Sequence, residues 1–186
     1  TMYLALFDET QDVVSRILAF KEQAGVLLEK YVDVAAQHYQ YENAITTYLW
    51  LRYPDKYYIY KYSEVKNAAA ELGCDLSFRK GHYGENLRNF YAFYNAFCEE
   101  LKKEDELKMM LKSQLTETCY PDPELRTLTM DLGFYISRFY SQRNHASADE
   151  WWPKAEDYDP GITVQEWKCL LADEEVFNES SLEIMK

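Results

Sequence analysis

The run Arg52-Tyr-Pro-Asp-Lys-Tyr-Tyr-Ile-Tyr-Lys-Tyr62 places five tyrosines and two lysines in one short stretch. A phenol ring offers a face on which a nucleobase can stack, and a lysine offers a cation to a phosphate. Arg79 and Lys80 follow in a loop that also holds His82 and two glycines, Gly81 and Gly84. Residues 52–88 carry seven bases and five acids, a net of +2 inside a chain of net charge −12. A locally basic, tyrosine-rich patch on an acidic protein is the form a nucleic-acid site would take here. Its candidate residues are Lys56, Tyr57, Tyr58, Tyr60, Lys61, Arg79 and Lys80. The other reading is structural: Tyr57, Ile59 and Tyr62 pack inward, and the lysines keep the surface soluble.

Other chemistry finds little support. There is no Gly-x-x-x-x-Gly-Lys-Ser/Thr loop and no Gly-x-Gly-x-x-Gly turn, so nothing is built to cradle a nucleotide's phosphates. His-Glu-x-x-His and Gly-x-Ser-x-Gly are absent, and no Cys/His set has zinc spacing. His38, His82 and His145 are scattered, and the carboxylate clusters at 99–100, 104–106 and 173–175 read as solvated charge at helix ends. The expectation is that these residues form no enzyme and hold no cofactor or metal. Cys74, Cys98, Cys119 and Cys169 are dispersed and read as reduced thiols. The start Met2–Phe7 lacks the basic residues of a signal peptide, and no uncharged run approaches the ~20 residues of a membrane span. A cytoplasmic protein with no membrane partner is expected.

The elements that would position the patch read as helices. With 47% hydrophobic and 16% aromatic residues the chain can bury a core, and six glycines with five prolines argue against a many-stranded fold. Asp8, with Gln11 reaching back to it, predicts a helix start; apolar spacing then predicts one helix, or two broken near Gly25, over 9–38. A second helix is predicted over 41–52 and stopped by Tyr53-Pro54. Residues 55–62 are the one place for a minor β element or an irregular segment. Ser63 predicts the start of a helix that runs to Leu72 and is closed by Gly73.

A long helix from Glu85 carries the stripe Leu87, Phe90, Tyr91, Tyr94, Phe97, Cys98 and Leu101, read as core. Another, with Leu107, Met110, Leu111 and Leu115, runs to about 116. Asp122 as cap and Pro123 as first helical residue predict a further helix, with Leu125, Leu128, Leu132, Tyr135, Ile136 and Phe139 on one face. The fold class expected is all-α, an irregular multi-helix bundle over 1–142. Residues 143–162, with Trp151-Trp152-Pro153 and Asp159-Pro160-Gly161, read as a linker. The capping-box patterns Thr163-x-x-Glu166 and Ser180-x-x-Glu183 predict short helices at 164–173 and 181–186, the start of a further domain. The tail from Asn144 is acidic, with a net of −8. Thr1 ahead of Met2, and an end at Lys186 inside a helical pattern, predict a piece of a longer protein.

Three stretches carry a resemblance: Leu51–Val65, Cys119-Tyr-Pro-Asp-Pro-Glu-Leu-Arg-Thr-Leu-Thr129, and Tyr158-Asp-Pro-Gly-Ile-Thr-Val-Gln-Glu-Trp167 with Leu170-Leu171. Together they make the chain from about Glu42 onward similar to the region upstream of the ATPase module in bacterial McrB-like AAA+ proteins. The resemblance implies a role in modification-dependent restriction, a bacterial defence. In that family an N-terminal region recognises DNA, often at 5-methylcytosine, a downstream module hydrolyses GTP with magnesium, and an endonuclease partner cuts. The nucleotide-binding loop is missing from these 186 residues, so no residue of that module is carried over. The expectation is a non-catalytic N-terminal region with DNA as partner, beside an AAA+ module in the same chain. The alternative is a protein-interaction module that positions the motor or a partner without touching DNA.

Overall fold

The computed structural model describes residues 2–32 and 37–140, and every regular element among them is a helix. The helices are α1 (Met2–Leu6), α2 (Val13–Tyr31), α3 (Glu42–Arg52), α4 (Tyr62–Glu71), α5 (Tyr83–Leu101), α6 (Asp105–Gln114) and α7 (Arg126–Tyr135). A π-helical turn, Ile136–Tyr140, continues α7. Among the described residues there is no strand, so the fold is an all-α multi-helix one. The linker expected at 143–162, the short helices expected beyond it and the acidic tail lie outside the described residues.

Several helix ends follow local chemistry. Tyr53, ahead of Pro54, leaves the helical region at ψ 68° and ends α3. Gly73, at φ +66°, ends α4 in a pair of reversed bonds, Gly73 N to Ala70 O (3.1 Å) and Cys74 N to Ala69 O (2.9 Å). Other ends differ from the sequence reading. Helix α2 starts at Asp12, whose carboxylate accepts from Ser15 N at 2.8 Å. Asp8 spends its carboxylate on Thr10, taking N at 3.1 Å and Oγ1 at 2.7 Å, so it closes a turn between α1 and α2 and caps nothing. Gly25 does not break α2, which continues to Tyr31. Helix α4 starts one residue before Ser63, with Lys61 as an N-cap whose side chain makes no capping bond.

The start of α7 is displaced as well. Pro123 lies in a turn, and Leu125, in the left-handed conformation at φ 56°, immediately precedes the helix. Asp122 still caps α7, but from further away: its carboxylate accepts from Thr127 N (3.1 Å) and Leu128 N (2.8 Å). The face α7 buries is also not the apolar one expected. The buried positions are Leu125, Thr129, Gly133 and Ser137, four residues apart in sequence, while Phe139 is exposed. Small residues on that line let the helix approach α5 closely; Leu128, Met130 and Ile136 are only half-buried beside it.

The core is aromatic and centres on Phe90 of α5. Its ring stands near-perpendicular to Tyr60 (centroids 5.1 Å apart, 88°) and to Tyr58 (6.2 Å, 84°), and packs edgewise on Tyr94 at 5.1 Å. Residues 57–61 thread through this core without regular structure. Their backbone is satisfied by side chains in place of a neighbouring strand: Tyr60 N donates to Thr46 Oγ1 (2.9 Å), Asn43 Nδ2 donates to Tyr60 O (2.9 Å), and Ile59 N meets Met130 Sδ at 3.0 Å. With those groups used, no β pairing is needed to bury the segment.

Candidate functional site

The seven candidate residues do not form one surface. Lys56 and Tyr57 belong to the end of the molecule near α1 and α2. There Lys56 Nζ lies 2.7 Å from Glu9 Oε2, and Tyr57 Oη donates to Glu9 Oε1 at 3.1 Å. Arg16 Nη2 donates to the same phenol at 2.8 Å. Hydrogen bonding from Lys56, with smaller help from Tyr57, holds the Glu9 carboxyl below its ordinary range. Lys61 lies elsewhere, 3.3 Å from Glu64 Oε1 and over the Phe134 ring. Arg79 makes a two-pronged contact with both Glu85 oxygens at 2.9 Å, which keeps the Glu85 carboxyl low.

The tyrosines are inside. Tyr57, Tyr58 and Tyr60 are 8%, 0% and 6% exposed, so as folded Tyr58 has no open face for a base to stack on. Its hydroxyl donates to Tyr94 O at 3.1 Å and accepts from Arg126 Nη1. The structural reading of the segment therefore describes its rings, although the inward set is Tyr57, Tyr58 and Tyr60, with Ile59 and Tyr62 half-buried. Four aromatic or apolar side chains in a row, from Tyr57 to Tyr60, do not alternate faces when the backbone is irregular.

One pair joins the aromatic run to the basic loop. Tyr60 and Lys80 line a cleft of about 230 Å3 together with Glu42, Tyr62, Gly81, Tyr83 and Asn86. Each wall has a reason for its place. Asn86, buried on the first turn of α5, clasps the loop by accepting from Arg79 N (2.9 Å) and donating to Arg79 O (2.7 Å). Gly81, at φ +87°, then turns the chain into α5 in a conformation that a side chain would strain. Tyr62 is fixed by donating its hydroxyl to Phe78 O at 3.1 Å. Glu42, 6% exposed at the start of α3, pairs with Lys21 Nζ of α2 at 2.6 Å. That ammonium also sits 3.6 Å from the Tyr83 ring centroid, so one cation serves a carboxylate and a π-face together.

The cleft offers a neutral phenol, an exposed ring, a part-buried ion pair and a cation without an ion-pair partner among the described residues. Burial, and then the Glu42 charge, push the Tyr60 phenol well above its ordinary value, so it stays protonated. Tyr83 is 49% exposed. Lys80 has no ion-pair partner among the described residues. Such a cleft can seat a small planar group and hold an anion at its mouth. Lys21, Glu42 and Tyr83 were not singled out by the sequence reading. Lys21 and Glu42 lie on different helices, and no spacing rule links them. Among the described residues no group of three His, Cys, Asp or Glu could hold a metal ion, and no helix is long and apolar enough to cross a membrane.

No family model, curated protein or solved structure matches the chain.

Proposed function

We propose that this chain is the non-catalytic recognition region of a McrB-like modification-dependent restriction protein, and that it contributes to recognition of DNA, including methylated DNA. The observation that carries the reading is Lys80, unpaired among the described residues and lining the same cleft as the exposed ring of Tyr83. A phosphate on Lys80 and a base against Tyr83 would use both. The net charge of −12 opposes binding to phosphates, but −8 of it sits in the tail from Asn144, so the rest of the chain repels them less. The AAA+ module, its GTP and magnesium, and an endonuclease partner follow from the resemblance, for residues outside this sequence.

The test is binding of the 186-residue chain to single strands and duplexes, with and without 5-methylcytosine, across a salt series. Affinity should fall linearly on a log–log salt plot, and Lys80→Ala should lower that slope by about 1. Tyr83→Ala should weaken single-strand binding by about 1–3 kcal/mol at every salt concentration. Absence of binding at low salt by protein that is folded by circular dichroism would sink this reading.

The second reading, an interaction module that does not touch DNA, has its own observation. Three of the basic residues expected to meet phosphate are already paired with carboxylates: Lys56 with Glu9, Lys61 with Glu64 and Arg79 with Glu85. A DNA result that is negative in all arms transfers the proposal to this reading.

A further inference from the structure

A groove of about 630 Å3 runs between the end of α4 and the outer face of α5, away from the cleft. Its floor is apolar. Ala92 and Ala96 of α5 are exposed and one turn apart, and their small side chains leave a trough flanked by Phe93 and Phe97. Leu72 and Leu76 form the opposite wall, and Leu72 is 43% exposed although it is a large apolar side chain. The rim is acidic: Asp75 stands on the α4 side, Glu99 and Glu100 on the α5 side, and no basic residue among the described ones lines the groove. Glu99 and Glu100 are exposed, and among the described residues they pair only with Lys102 and Lys103, their i+3 neighbours just past the end of α5. Exposed pairs of this kind are weak, of the order of 0–1 kcal/mol, and exchange readily for an incoming cation.

An apolar trough with an all-acidic rim is complementary to one kind of occupant. From these features we infer that the groove docks a basic amphipathic helix of a partner protein. Its apolar side chains, three and four residues apart, would enter the Ala92–Ala96 trough, and its flanking lysines or arginines would face Asp75, Glu99 and Glu100. The α5 wall from Ala92 to Glu100 is about 12 Å long, which suits about two turns of a docked helix. The chain's own tail from Asn144, at net −8, has the same sign as the rim and lacks that complementarity. The rim charges set encounter and orientation, while the trough supplies affinity through apolar burial. This inference does not rest on the DNA reading, because it uses different residues on a different part of the fold.

The test is fluorescence anisotropy of the 186-residue chain with a labelled peptide carrying leucines at i, i+4 and i+7 and lysines on its flanks. A second peptide has the same composition in scrambled order, and a third replaces the lysines by glutamates. Saturable binding of the first peptide, at least tenfold tighter than either control, is expected. Ala96→Leu fills the trough at an exposed helical site that tolerates leucine, and should weaken binding at least tenfold with the circular dichroism unchanged. The pair Asp75→Lys with Glu99→Lys should transfer preference to the glutamate peptide. Equal binding of the scrambled peptide, indifference to Ala96→Leu, or no saturable binding by the folded protein overturns the inference.

Discussion

The Tyr94 ring occupies the space into which a side chain at Gly133 would project: a Cβ built there falls 2.9 Å from Tyr94 Cε1 and nearer still to Oη. Tyr94 is itself 3% exposed and packed on Tyr58, Phe90 and Phe93, so it cannot swing away cheaply. The close approach of α7 to α5 depends on this glycine. Gly133→Ala should therefore destabilise the fold. An overpacking cost of about 1–3 kcal/mol outweighs the roughly 1 kcal/mol by which alanine favours a helix. Gly25→Ala should act in the opposite sense, because nothing lies within 4 Å of its Cβ and α2 is regular there. A gain of about 0.5–1 kcal/mol is expected. Urea unfolding of both variants checks the pair, and a Gly133→Ala protein as stable as the parent would refute the packing argument.

Arg16 ties three parts of the chain together. Buried in α2, it donates from Nη1 to Leu6 O of α1 (2.5 Å) and from Nη2 to Tyr57 Oη of the aromatic segment (2.8 Å). Arg16→Met keeps the length of the side chain and removes both bonds. It should cost about 2–3 kcal/mol, since Leu6 O would be left without its donor. Arg16→Lys should recover little, because one ammonium cannot reproduce a planar fork aimed at two acceptors. Denaturant midpoints of the two variants, compared at equal m-value, decide this.

The Asp122 carboxylate is the side-chain cap of α7 even though it lies outside the helix. Asp122→Ala should lose about 1–2 kcal/mol, the usual cost of a removed cap. Asp122→Asn keeps an acceptor oxygen and also tolerates the positive φ of 44° at this position, so it should lose less. Hydrogen exchange localises the effect: protection at Thr127 and Leu128 should fall in the alanine variant and largely persist in the asparagine one.

Alkaline titration should report on the core. Burial raises the phenols of Tyr58, Tyr60, Tyr91 and Tyr94 well above the ordinary 10.0. A group whose folded value is raised contributes stability that is complete below its unfolded value and is lost as pH rises toward the folded one. Stability should thus hold to about pH 10 and fall above it. These phenols should ionise together, in one cooperative step that coincides with unfolding by circular dichroism. Gradual ionisation of every tyrosine near pH 10, with the helices intact, would contradict the buried arrangement.

The sequence by itself determined what is local. Helical periodicity gave the helices from α2 onward, though not the short α1, Pro54 and Gly73 their stops, and the stripe on α5 its burial, because each depends on backbone dihedrals or a repeat within one element. The tertiary structure decided what depends on neighbours distant in sequence. Tyr58 and Tyr60 became core because Asn43, Thr46 and Met130 satisfy the backbone of their segment, and no property of the segment itself announces those partners. The buried face of α7 was set by how close α5 could come, which favoured Thr129, Gly133 and Ser137 over larger apolar residues. The cleft followed the same rule: Tyr60 and Lys80 were legible as candidates, while Lys21, Glu42 and Tyr83 join them only through helix packing. Packing is a long-range condition, and a spacing pattern in one stretch of chain does not contain it.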